Sequence, residues 1–162
     1  MSRNHSYLIN GSFEQAISVF DRGFSYGDGV FRTMKIHNGL PVSWPFHYQK
    51  LVADCAGIGI VCPNAELLMS DLQKLFENEL FSEDKTQVAK IIITRGEGER
   101  GYAPPVITVP TRVVIKSELP HYAASNYEQG VQLRICSIRL ADQEKLAGIK
   151  HLNRLENVMA RM

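Results

Sequence analysis

Lys150 stands in the run Leu146-Ala147-Gly148-Ile149-Lys150-His151-Leu152-Asn153-Arg154-Leu155-Glu156. A lysine is a nucleophile only as the neutral amine, and its most useful covalent act is Schiff-base formation with a carbonyl. Most lysines are solvated charges and no more, so the flanking residues must say whether this one is held for chemistry. Residues 131–140 before it read as a strand, and a short polar loop follows. After it, Asn153 and Glu156 have the N-cap and N3 spacing of a capping box. Leu152, Leu155 and Met159 then recur at helical spacing. The pattern predicts an amine on the last residues of a loop, fixed by the adjoining helix and free to reach into a cleft.

Other segments could carry chemistry. Asp21-Arg22-Gly23-Phe24-Ser25-Tyr26-Gly27-Asp28-Gly29-Val30-Phe31 holds three closely spaced glycines, which open backbone conformations closed to other residues. That suits a loop approaching a ligand or another subunit, or simply a structural turn. Lys50, in Phe46-His47-Tyr48-Gln49-Lys50-Leu51, lies on a predicted helix and alone would be a solvated charge. Gly96-Glu97-Gly98-Glu99-Arg100-Gly101 formally fits the dinucleotide pattern GxGxxG. That fingerprint must open a helix, and Tyr102-Ala103-Pro104-Pro105 forbids one here. Zinc-ligand spacing, a phosphate-cradling P-loop and a Gly-x-Ser-x-Gly elbow are absent from the sequence.

Taken together, Gly148-Ile149-Lys150-His151-Leu152-Asn153-Arg154-Leu155-Glu156, the 21–31 loop and Thr94-Arg95-Gly96…Arg100-Gly101-Tyr102 resemble the class IV aminotransferase-like, fold-type IV pyridoxal phosphate enzymes. Within that family the likeness is to the 4-amino-4-deoxychorismate lyases. The resemblance implies pyridoxal 5'-phosphate as cofactor, bound covalently by Lys150. It implies that Lys50 contacts the cofactor phosphate, where relatives usually carry arginine; lysine offers a point charge without the two-pronged fork. It implies that Arg100, Tyr102 and Thr33 bind substrate, with Arg100 on a carboxylate, which suits its paired donors. Three departures point away from the family's transaminases: Arg100-Gly101-Tyr102 itself, Arg32-Thr33 where transaminases tend to carry glutamate, and Phe31 where the D-amino-acid enzymes carry tyrosine. The implied reaction is elimination of pyruvate from aminodeoxychorismate to give 4-aminobenzoate, a folate precursor. In it Lys150 moves the proton at the amine-bearing carbon. The alternatives are a class IV transaminase for D- or branched-chain amino acids, using the same lysine, and a folded domain with an incomplete site. The family also implies a homodimer.

The elements that must position these residues can be read along the chain. Residues 7–9, 16–20, 30–36, 40–42, 88–94, 106–115 and 131–140 read as strands, with turns at Asn10-Gly11 and Asn38-Gly39. Helices are expected over residues 44–58, with Leu51, Cys55 and Ile58 inward, and from Asn64 onward, with Leu68, Leu72, Leu75 and Phe76 inward. The fold class is therefore α+β: a small N-terminal domain, 1–119, with a mostly antiparallel sheet and two helices. A linker, 120–129, leads to the start of a second domain, 130–162. A final helix over 154–162 is too short to stand alone, and family members continue for a whole second domain beyond this point. With 162 residues and a net charge of +1, the chain can bury a real core and has no excess charge to draw nucleic acid or an anionic membrane. Cys55, Cys62 and Cys136 are read as reduced thiols of a cytoplasmic protein. No run approaches the ~20 apolar residues of a membrane span.

Overall fold

The computed structural model describes residues 6–77 and 85–162. Its strands are β1 (Tyr7–Ile9), β2 (Gly29–His37), β3 (Leu40–Pro41), β4 (Thr86–Thr94) and β5 (Arg112–Glu118). They form one sheet in the order β1-β5-β4-β2-β3, with every neighbouring pair antiparallel. The helices are α1 (Arg22–Tyr26), α2 (Trp44–Gly57), α3 (Ala65–Phe76), α4 (Ser125–Glu128) and α5 (Leu155–Met159). This is the α+β class expected, with α2 and α3 as the two helices that build the core. No helix among the described residues is long and apolar enough to cross a membrane.

Period-two alternation sorts the sheet into two faces. On β4, Ala89, Ile91 and Ile93 are fully buried, and they join Val30, Met34 and Ile36 of β2 and Val114 of β5. Leu51 and Cys55 of α2 and Leu68, Leu72, Leu75 and Phe76 of α3 close over that face. Burial of this many large aliphatic side chains, at roughly 1.5–3 kcal/mol each, is the main force holding helices to sheet. The opposite face carries Phe31 and Thr33 of β2, with Thr33 paired across to Lys90 of β4. Asn38 and Gly39 turn β2 into β3 with φ of 47° and 75°, the left-handed pair that a tight hairpin of this hand needs. The Asn64 side chain accepts from Leu67 N at 2.8 Å and starts α3.

Several expectations are corrected. Residues 16–20 form no strand: after the Asn10-Gly11 turn the chain bridges back only at Ser12 and then leaves the sheet edge. The strand expected over 106–115 is displaced to Arg112–Glu118, where it can pair with both β1 and β4. Residues 131–140 form no strand, because no strand among the described residues lies alongside to share a ladder; Val131, Leu133 and Ile135 are exposed. The capping box is not made. Arg154 takes the N-cap position of α5 without a side-chain cap, and α5 is shorter than the 154–162 expected. Asn153 is instead seated against Gly27, where a Cβ would stand 2.1 Å from Asn153 Oδ1 and φ is +68°. Glu156 accepts from Ala141 N at 3.1 and 3.2 Å. The 21–29 segment, expected as a glycine-rich loop, begins with α1, whose first amides bond to Asp21 Oδ1. No helix follows the GxGxxG segment.

Candidate active site

Lys150 is positioned by the sheet. Phe31 N donates to Lys150 O at 2.9 Å, Leu152 N donates to Gly29 O at 2.9 Å, and His151 bridges to Val30. The 150–152 segment thus lies along the start of β2. Ile149, just before it, packs onto the core. Loop residues with so little regular structure of their own need such tethers to hold one geometry.

From this placement the Lys150 amine reaches the ring of Phe31, 4.9 Å from its centroid. Lys90 Nζ lies 4.7 Å from the same centroid and the Arg154 guanidinium carbon 5.8 Å. Three cations around one aromatic ring gain from its quadrupole but repel one another. Partial burial holds the Lys150 amine below the ordinary lysine range, and Arg32, Arg154 and Lys90 push the same way against the opposing pull of Asp54. The neutral, nucleophilic form is correspondingly easier to reach. The imidazole of His47 on α2 is likewise held low, by partial burial and by Arg32 and Lys150.

Lys50 and Asp54 stand one turn apart on α2 and form an ion pair. Asp54 also pairs with Arg32 of β2. Lys50 Nζ donates to Gly148 O at 2.8 Å, which ties α2 to the chain two residues before Lys150. Burial alone would raise the Asp54 carboxyl; hydrogen bonds from Lys50 and Arg32 outweigh it and hold the group below the usual carboxylate range.

Arg100 and Tyr102 lie apart from this cluster, on the exposed loop between β4 and β5. Among the described residues, no hydrogen bond, ion pair or ring contact joins either to Lys150, Lys50 or Thr33. Their loop is nonetheless built. The buried Arg22 donates to Gly101 O at 3.0 Å, Tyr102 O at 2.9 Å and Ala103 O at 3.4 Å. Its Nε pairs with Asp28 at 2.8 Å, and Asp28 also holds Arg95 at 2.7 Å. Arg95 reaches Ile58 O at 2.7 Å and Gly59 O at 2.8 Å, so the end of α2 is anchored to the same carboxylate. The Tyr102 ring meets Tyr26 edge-on, with centroids 5.6 Å apart.

The structure ties Lys50 to Gly148, two residues before Lys150; it sets Thr33 on the other face of β2, across from Lys90; and it leaves Arg100 and Tyr102 on a separate, anchored loop. Sequence reasoning missed Asp54, Lys90 and the anchoring role of Arg22. The signal for Asp54 was present, since an acid four residues after Lys50 falls beside Leu51 and Cys55 on the apolar stripe. The signal for Lys90 was its place in the β4 alternation, one step out of phase with Ala89 and Ile91.

The chain as a whole is matched by known proteins. Residues 29–162 match the family model Amino-transferase class IV, and the chain belongs to that family. It is 32% identical over 155 residues to aminodeoxychorismate lyase of Vibrio harveyi, covering 96% of this chain and 55% of that protein. The crystal structure of 4-amino-4-deoxychorismate lyase from Pseudomonas aeruginosa superposes with a TM-score of 0.85 at 41% identity, over 96% of this chain and 55% of that one. D-alanine aminotransferase of Staphylococcus aureus is 28% identical over 160 residues, 95% of this chain and 54% of that protein. The chain thus spans about half the length of the relatives it matches.

Proposed function

We propose that the full protein is a pyridoxal phosphate-dependent aminodeoxychorismate lyase, releasing pyruvate and 4-aminobenzoate. The observation that carries the reading is Lys150: an amine tethered beside β2 and disposed to lose its proton. The likeness to two lyases at 32% and 41% identity favours this reaction within the family.

The residues present suit the cofactor. Lys150 offers the amine an aldehyde needs, Lys50 and Arg32 offer positive charge to a phosphate, and Phe31 offers an apolar ring surface. When bound, pyridoxal phosphate supplies an electron sink for the substrate carbon that loses its proton. Lys150 holds the cofactor, then takes the proton from the amine-bearing carbon and can return one to the departing enolpyruvyl group. Lys50 binds the phosphate. Arg100 holds a substrate carboxylate, with Tyr102 and Thr33 completing substrate contact. Fixing the leaving group in line favours elimination over reprotonation of the cofactor, and orientation of this kind is a large part of catalysis.

The proposal extends to a cytoplasmic homodimer, with a first domain over 1–119, a linker over 120–129 and a second domain from 130. Exposed Val106, Ile107 and Val109 on the loop of Arg100 suit a subunit contact. A transaminase for D- or branched-chain amino acids is the second reading, favoured by the D-alanine aminotransferase likeness. The deciding experiment supplies the full protein with aminodeoxychorismate and, separately, with D-alanine or branched-chain amino acids plus 2-oxoglutarate. Higher kcat/KM for release of pyruvate and 4-aminobenzoate is expected. Efficient transamination without either product would replace the lyase reading by the second.

A further inference from the structure

Asp54 points from α2 into the interface with β2, and its side chain is 0% exposed. A carboxylate removed from water needs charged or hydrogen-bonding partners. It has two, on different elements: Arg32 Nη2 donates to Oδ2, and Lys50 Nζ donates to Oδ1. Lys50 is 46% exposed and passes the connection on to Gly148 O. Arg32 is mostly buried, and its Nε has no hydrogen-bond partner among the described residues. One carboxylate therefore fixes two cations that flank the Lys150 segment.

The groups that act on Lys150 come from four elements. Arg32 comes from β2, Lys90 from β4, Arg154 from the N-cap of α5, and His47 and Asp54 from α2. Lys50 stands beside Asp54 on α2. Of these, Asp54 alone is negative.

We propose that Asp54 is a positioning residue of the active site: it holds Lys50 and Arg32 in place and supplies the counter-charge to the cations around Lys150. The inference rests on the reading of Lys150 and Lys50 given under Proposed function. Without the Asp54 charge, Arg32 would act on Lys150 uncompensated and Lys50 would lose the partner that holds it beside Gly148, and the ammonium form of Lys150 would become harder to keep. Loss of Arg32 would act in the opposite sense. A residue that served packing alone would not move Lys150 in opposite directions in the two variants.

The test is site-resolved acetylation of Lys150 by acetic anhydride across pH, read by peptide mass spectrometry on the full protein stripped of cofactor. In Asp54→Asn the reactivity midpoint should fall, and in Arg32→Met it should rise. Asp54→Glu should return it toward the wild-type value. If Asp54→Asn does not fold, because two cations lose their acid at once, the same change is made in the Arg32→Met background. There it should still lower the midpoint relative to Arg32→Met alone. A midpoint unmoved by removal of Asp54 in whichever background folds would overturn the inference. Reductive labelling of the wild-type holoprotein at a lysine other than Lys150 would overturn the underlying reading, and the inference with it.

Discussion

Lys50, proposed to bind the cofactor phosphate, brings a point charge without the two-pronged fork of an arginine. A single ammonium is shared between Asp54 and Gly148 O, where a guanidinium would have had donors to spare. Lys50→Ala should weaken pyridoxal phosphate binding at least tenfold in the full protein, and Lys50→Arg should keep it near wild type. Equal affinity for wild type and Lys50→Ala in a cofactor titration would make Lys50 a surface charge. Asp28 makes a different prediction. Burial alone would raise its carboxyl, but Arg95 and Arg22 hold it below the ordinary value. Its unfolded value is about 4, so its contribution to stability is full above that pH and is lost as pH falls through the lower folded value. Asp28→Asn should therefore flatten the loss of thermal stability as pH falls below about 4. An unchanged acid limb in that variant would assign the loss to other carboxylates.

Among the elements, α3 was legible because each of its signals is local. Asn64 caps it, and Leu68, Leu72, Leu75 and Phe76 repeat at helical spacing on one face. Leu72 is fully buried, so Leu72→Ala should lower unfolding free energy by roughly 2–5 kcal/mol. Denaturation that shifts by much less would mean the cavity collapses. The hairpin at Asn38-Gly39 was equally legible, because its turn type selects those residues. Residues 131–140 were misread for the converse reason. Alternation of Val131, Leu133 and Ile135 states a tendency, but a strand exists only with a partner to complete its ladder. The capping box failed similarly: Asn153 is drawn to Gly27, and its spacing to Glu156 could not announce a competitor more than a hundred positions away. The motif singled out Lys150, but the pairing of its segment with β2 is recorded by no local pattern.

Across the whole molecule, the sheet, its two covering helices and the family were readable in the chain. The grouping of Lys150 with Lys90, Arg32 and Asp54 was not, because it depends on register between β2 and β4 and on the rotation of α2. The central claim is that this assembled surround makes Lys150 the covalent anchor for pyridoxal phosphate. It is tested most directly by loading the full protein with pyridoxal phosphate, reducing with borohydride, and locating the fixed pyridoxyl group by peptide mass spectrometry. The account predicts the group on Lys150, with both the label and the visible absorbance band lost in Lys150→Ala. A label on another lysine, or an undiminished band in Lys150→Ala, would contradict it.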